Sequence, residues 1–429
     1  MTKPLIYAAT SIVLFLLSIL AESSQSESMT KVTGILIPLY TYPGTTWDTV
    51  VAAKNAHPSV PVAAVINPHN GPGNVTDTNY VSGIQKLQSS GVVVMGYVYT
   101  NYTARDPSLV INDIDSYKSR YPQINGIFFD EMSNVVGNEG YYWNLSNYAK
   151  SVGFTLTVGN AGADIPPSYV GKVDNILIYD NSNIPSLNYL GGWHIAYDKS
   201  NFSSVSYGVG ALDQAYVKNA ANYVGYIYIS NGSLPNPWDT LPPYFDGLVS
   251  SVGDASSVSI RSSDLASAPI SGLWNEIYSN NVLVRNGLTP TQHWLVSDLP
   301  YLVCAADYQN YVFDHWENMY DNRCATITPV QNMTFTAYYK VYSTLNLRSV
   351  DLNGTSISGI WVEIYSNGTK ITSGFTPQPY QLSSDSQYLV CVSDYQNYFF
   401  DHWDDQTVNR CRIINIVGPN MTVIAHYRN

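Results

Sequence analysis

Two adjacent acids, Asp130 and Glu131, follow the uncharged run Gly126-Ile-Phe-Phe129, and a third, Asp180, follows Asn175-Ile-Leu-Ile-Tyr179. Carboxyl groups at the ends of buried strands suit general acid/base chemistry, because desolvation lifts the pKa of one while a neighbour stays ionised. Two carboxyls about 5 Å apart fit a retaining glycosidase, and a gap of roughly 7 to 9 Å an inverting one. Successive strand residues face opposite ways, so one of Asp130 and Glu131 should aim into a pocket; alternation alone does not say which. A strand-end Asp can instead cap the following helix, the reading preferred for Asp198 and left open for Asp180. Residues 32–253 contain no cysteine nucleophile and no Gly-X-Ser-X-Gly elbow. No metal-ligand spacing joins the acids to His69 or His194, so neither a metal nor a cofactor is expected.

These acids need a scaffold that brings strand ends together. From 32 to 253, short buried apolar runs alternate with longer amphipathic stretches, the pattern of a parallel sheet covered by helices. Eight strands are expected: Gly34 to Leu39, Val62 to Ile66, Val92 to Tyr97, Gly126 to Phe129, Thr155 to Val158, Asn175 to Tyr179, Trp193 to Ala196 and Tyr223 to Ile229. Helical spacing appears at Tyr80 to Gln88, Ile111 to Tyr121 and Tyr141 to Ser151. This arithmetic predicts an α/β fold, a (β/α)8 TIM-type barrel, whose strand ends converge on one face. An open doubly wound sheet is the alternative, but no Gly-rich phosphate loop follows any strand.

Several runs in order carry a family resemblance: Gly34-Ile-Leu-Ile-Pro-Leu-Tyr40 with Tyr42-Pro-Gly44, Ile66-Asn-Pro68 with Gly71-Pro-Gly73, Gly96-Tyr-Val98 with Thr100, Gly126-Ile-Phe-Phe-Asp-Glu131, and Asn236-Pro-Trp-Asp239 with Leu241-Pro242 and Tyr244. Together they resemble the spherulin-4 family of glycoside hydrolase-like barrels, related to endo-α-1,4-polygalactosaminidases. The resemblance covers about half the chain and implies endo-hydrolysis of an extracellular galactosamine or N-acetylgalactosamine polysaccharide. It maps the family's Asp-Glu pair onto Asp130 and Glu131, and its acid after the sixth strand onto Asp180, where the family commonly has Glu. Asp130 is then expected as nucleophile or transition-state stabiliser, Asp180 as acid/base and Glu131 as the orienting neighbour. Tyr40, Asn67, Tyr97, Arg105 and Asn160 would line sugar subsites.

Beyond residue 253 the chain repeats itself. Ser271-Gly-Leu-Trp-Asn-Glu-Ile-Tyr-Ser-Asn280 returns as Ser358-Gly-Ile-Trp-Val-Glu-Ile-Tyr-Ser-Asn367, and the segment Tyr301–Cys304 through Asn322–Cys324 returns at the same offset of 87 residues. Alternating segments broken by Asn-Gly and Pro turns predict two small β-sandwich modules, 254–341 and 342–429. Each copy carries two of the chain's four cysteines at one spacing, so disulfides Cys304–Cys324 and Cys391–Cys411 are expected. The repeated Asp314-His315-Trp316 and Asp401-His402-Trp403 could present aromatic faces to sugars; a Trp just after a Phe in a sandwich strand is more readily core.

The first 26 residues, with Lys3 and the apolar run Pro4 to Leu20, read as a secretory signal peptide or an uncleaved membrane tether. Nine Asn-X-Ser/Thr sequons, at Asn74, Asn101, Asn144, Asn201, Asn231, Asn332, Asn353, Asn367 and Asn420, are compatible with glycosylation at the cell surface or beyond it. A net charge of −12 without a basic stripe argues against a nucleic-acid partner and fits a cationic or neutral ligand better. The leading expectation is thus a secreted or surface-attached endo-glycosidase. The alternatives are a non-catalytic polysaccharide-binding or adhesion protein on the same barrel, and a structural component of the cell envelope.

Overall fold

The computed structural model describes residues 32–429 apart from 385, so the N-terminal apolar segment lies outside the described residues. Eight parallel strands close into a barrel: β1 (Gly34–Leu39), β2 (Val62–Ile66), β3 (Val93–Tyr99), β4 (Gly126–Asp130), β5 (Leu156–Asn160), β6 (Asn175–Ser182), β7 (Phe202–Tyr207) and β8 (Tyr226–Ile229). Their side chains are buried on both faces, which is why the strands read as continuous apolar runs. Helices Thr45–Ala56, Thr78–Ser89, Pro107–Arg120 and Glu139–Ser151 cover the first half. Their starts are chemically marked: the Asp77 carboxylate accepts the amides of Asn79 and Tyr80, and the Asp106 carboxylate accepts that of Ser108 beside Pro107. Helix and sheet approach closely at Gly96, where a Cβ would meet the Tyr117 ring at 2.7 Å.

The seventh strand is not where the apolar pattern put it. Trp193 to Ala196 lies in a 3-10 turn, Gly192–Ala196, and β7 is the polar run Phe202–Tyr207. The run around Trp193 is apolar because it packs as a turn: His194 is buried, its ring is 4.2 Å from that of Trp193, and its Nδ1 lies 3.0 Å from the Gly191 carbonyl. β7 instead buries hydroxyls. Ser203, Ser204 and Ser206 are all at most 1% exposed, and Ser203 Oγ pairs with Asn175 Oδ1 at 2.6 Å. Asp198 caps the short turn before it by accepting the Ser200 amide.

Beyond the barrel lie two sheet-rich copies, each with a four-stranded sheet facing part of a shared nine-stranded one. A single 19-residue strand, Met333–Asp351, belongs to both copies: its first half pairs with Ala255–Asp264 and its second half with Asn420–Arg428. The expected module boundary at 341/342 falls inside this strand, whose alternation contains no Gly or Pro to break it.

The first copy shares one apolar core with the barrel, and the second has its own. Asn222, leaving the barrel just before β8, accepts the Val296 amide at 3.2 Å and the Tyr301 hydroxyl at 2.9 Å through Oδ1, while its carbonyl accepts Arg285. Asn219 Oδ1 takes Ser279 and Asn280. The first copy therefore docks at the N-terminal end of the barrel strands. Both tryptophans of the Asp-His-Trp repeats, Trp316 and Trp403, are core residues with no exposed surface.

Both expected disulfides are present, Cys304–Cys324 and Cys391–Cys411, and each ties facing residues of neighbouring strands. Closing a loop of this size should stabilise by about 3 kcal/mol. Because the second copy has a separate core, replacing Cys391 and Cys411 by Ser is expected to lower one calorimetric transition by about that amount and leave the barrel transition in place.

Candidate active site

The strand ends that matter are β3 to β6. In β4, Asp130 pairs in register with Tyr99, and Phe128 with Tyr97 and with Val158 of β5. Alternation then places Asp130 and Asn160 on the same side of the sheet. Asp180 reaches that side because of an irregularity: the β6–β7 register shifts between Leu177 and Tyr179. The extra residue turns Asp180, rather than Tyr179, to the side of Leu177, which faces Asn160.

Asn160 joins the two acids. Its Nδ2 donates to Asp130 Oδ1 at 2.8 Å and to Asp180 Oδ2 at 2.9 Å, so the two oxygens are no further apart than the sum of these contacts. That ceiling on the nearest oxygens lies just above the roughly 5 to 5.5 Å between carboxyls of retaining glycosidases and below the roughly 6.5 to 9.5 Å of inverting ones. Asp130 also accepts the Tyr97 hydroxyl on Oδ2 at 2.8 Å, so both its oxygens are engaged. Among the described residues Asp180 has the Asn160 amide as its one side-chain partner.

The surroundings of the two acids differ. Burial, and then the charge of Asp130, push Asp180 up to about 6 against the opposing hydrogen bond from Asn160. Burial also raises Asp130, while bonds from Tyr97, Asn160 and the Glu131 backbone pull it down. Asp130 thus has three hydrogen bonds that favour its charged form, and Asp180 has one. Tyr40 closes the group: its ring meets that of Tyr97 edge-on at 5.6 Å, and burial, Asp130 and Asp180 together raise its hydroxyl well above the ordinary tyrosine range.

Glu131 is held differently. Its φ of 53° is the left-handed region, costly for a residue with a Cβ. The turn is pinned by Thr100, which is fully buried: its amide donates to the Asp130 carbonyl at 2.9 Å, and its hydroxyl lies 2.8 Å from the carbonyls of both Asp130 and Glu131. Thr100 is a positioning residue that composition alone does not flag; its place one residue beyond β3 was the available signal. The Glu131 carboxylate lies near enough to Tyr97 to help raise its hydroxyl.

Of the residues expected in the site, Tyr40, Tyr97, Asp130, Asn160 and Asp180 come together, with Glu131 beside them. Asn67 turns its Oδ1 onto the Gly71 amide of its own loop at 2.8 Å. Arg105 pairs with Asp113 at 2.7 Å, donates to the Tyr99 carbonyl and lies over the Tyr99 ring at 4.1 Å, bracing the loop after β3 rather than meeting the carboxylates. Among the described residues no group of His, Cys, Asp and Glu is arranged to hold a metal ion.

The spherulation-specific family 4 model matches residues 34–252, the whole barrel. The chain belongs to the spherulation-specific family 4. Spherulin-4 of Physarum polycephalum is 33% identical over 232 residues, which span 51% of this chain and 69% of that protein. The family barrel is also similar to the crystal structure of Aspergillus clavatus Sph3 in complex with GalNAc, at 24% identity and TM-score 0.47, covering 52% of this chain and 98% of that one. The Bacillus anthracis TIE protein matches 41% of this chain and 34% of its own at 15% identity and TM-score 0.21. These two likenesses carry no functional conclusion.

Asn160 offers a direct test of the shared amide. Asn160→Ala removes the bond that lowers both acids, so both limbs of the pH–rate profile should move to higher pH, with kcat falling about 100-fold and KM changing less. Unmoved limbs would show that Asn160 does not couple the pair.

Proposed function

We propose that this family-4 barrel is a retaining endo-glycosidase acting on an extracellular galactosamine or N-acetylgalactosamine polysaccharide. The observation that carries the reading is the single Asn160 nitrogen bonded to both Asp130 and Asp180, a closeness that favours double displacement over the wider spacing of an inverting pair. In the first step Asp130 attacks the anomeric carbon while Asp180 gives its proton to the departing glycosidic oxygen. In the second, Asp180, now a carboxylate, takes a proton from water, which attacks the glycosyl–Asp130 ester and frees the sugar and Asp130. Tyr97 and Asn160 stabilise Asp130 as it re-forms its charge, and Glu131 orients the turn that carries it.

The disulfides support placement in an oxidising compartment outside the cytosol. Among the described residues no helix is long and apolar enough to cross a membrane. Proton NMR of the first reducing ends released from a galactosaminoglycan tests the mechanism: retained anomeric configuration is expected, and inversion would overturn the assignment of Asp130 as nucleophile.

A further inference from the structure

The repeated run Ser-Gly-X-Trp-X-Glu-Ile-Tyr-Ser-Asn has no part in the barrel chemistry. In the first copy the strand Trp274–Ser279 turns Asn275 and Ile277 inward, at 2% and 0% exposure, and Trp274, Glu276 and Tyr278 outward. In the second, Val362 and Ile364 are inward and Trp361, Glu363 and Tyr365 outward. Between the copies one of the two core positions changed, from Asn275 to Val362, and the other kept Ile, while the three water-facing side chains stayed the same. Packing does not require that retention.

The three side chains form a fixed constellation. Tyr278 donates to Glu276 Oε2 at 2.6 Å, and Trp274 Nε1 lies 3.2 Å from Oε1. Tyr365 donates to Glu363 Oε2 at 2.7 Å, and Trp361 is hydrogen-bonded to the same carboxylate. Each copy thus presents a carboxylate held between two aromatic rings, with exposed apolar neighbours beside it: Leu288 and Leu302 in the first, Phe375 and Leu389 in the second. Trp274 itself is 39% exposed.

The copies differ in charge. Lys370 pairs with Glu363 at 3.2 Å, whereas the first copy has Leu283 at the matching place and no cation bonded to Glu276 among the described residues. An apolar protein surface seated here would bury the Glu276 carboxylate without compensation, which is costly. A sugar ring bearing an ammonium group satisfies both halves of the surface, its apolar face on Trp274 and its charge on Glu276.

We propose that the outer sheet faces of the two copies are binding platforms for a hexosamine polysaccharide carrying free amino groups, with the Trp274–Glu276–Tyr278 platform the stronger. The polymer class rests on the substrate proposed for the barrel; the platforms themselves do not. Two platforms on one chain bind a polymer with an effective concentration that neither has alone.

Affinity electrophoresis of the full chain carrying Asp130→Asn, which spares the polymer, tests this in gels containing partly deacetylated galactosamine polymer, its fully acetylated form or a neutral glucan. Adding Trp274→Ala and Trp361→Ala should weaken retardation by the deacetylated polymer at least about tenfold. Glu276→Gln should weaken that interaction and leave the acetylated polymer unaffected, and Glu363→Gln should do less, since Lys370 already offsets its charge. Trp274→Tyr should restore part of the binding. Retardation unchanged by the double tryptophan substitution, or equal in neutral glucan, would overturn the proposal, as would capture only of a protein partner. Reducing-end release by the unsubstituted barrel, measured separately, reports on hydrolysis alone, so either reading can fail without the other.

Discussion

Asp130→Asn is expected to abolish hydrolysis of a galactosaminoglycan, with a loss of roughly 10³-fold or more in kcat and little change in folding. The amide fits the same space and keeps one oxygen to accept from Tyr97 or Asn160, so the hydrogen-bonded frame survives while the attacking charge is gone. A true nucleophile leaves a further signature. Asp130→Gly should regain turnover with azide, which occupies the vacated position and attacks the same carbon, yielding a glycosyl azide of the opposite anomeric configuration. Full activity in Asp130→Asn, measured as new reducing ends, would mean that another carboxylate attacks.

The second large effect concerns Asp180 and pH. The proposed acid must be protonated and Asp130 ionised, so the rate should follow a bell whose alkaline limb falls near pH 6, the pKa to which burial and Asp130 push Asp180. Asp180→Asn should erase that limb and cut the rate on natural linkages about 100-fold or more, with a smaller loss on substrates whose leaving group needs no proton. Stability should move the other way. Asp180 is raised from 3.8 to about 6, so between those values the folded chain keeps a proton that the unfolded chain has released. Folding stability from this group is therefore complete below the lower value, declines as pH rises and remains reduced above about 6. Asp180→Asn should accordingly stabilise the fold at pH 7 by about 3 kcal/mol, read as a higher melting temperature, and give almost none of that gain at pH 4. A stabilisation of equal size at both pH values would contradict the burial of a charged group at this position.

The sequence reading reached the barrel because its strands are buried on both faces, and Gly126-Ile-Phe-Phe-Asp130 shows this plainly. It missed β7 because apolarity was the signal followed, whereas Ser203, Ser204 and Ser206 bury hydroxyls in a barrel interior that supplies partners such as Asn175. The side on which each acid lies was not legible either. Alternation from Leu177 would have turned Asp180 away from the site, and a single extra residue in β6, invisible in residue type, reverses that. Asn160 and Tyr97 were expected to touch sugar; that they also hold the acids is visible only when β3, β4, β5 and β6 are side by side. In the repeats the even cysteine pattern sufficed for the disulfides, because two identical spacings leave a simple pairing within each copy.

The uninterrupted strand Met333–Asp351 gives the tail a mechanical character. Over its second half it runs parallel to the final strand, Asn420–Arg428, in register from Thr344 opposite Asn420 to Asp351 opposite Tyr427. A load drawing the two strands lengthwise past each other would strain their hydrogen bonds together, in shear, rather than opening them one after another like a zip. The same strand continues into the copy docked on the N-terminal end of the barrel strands, so tension applied at the second copy reaches the barrel through paired backbone instead of a slack tether. A barrel restrained through these copies would keep the strand ends that carry Asp130 and Asp180 directed away from the restraint.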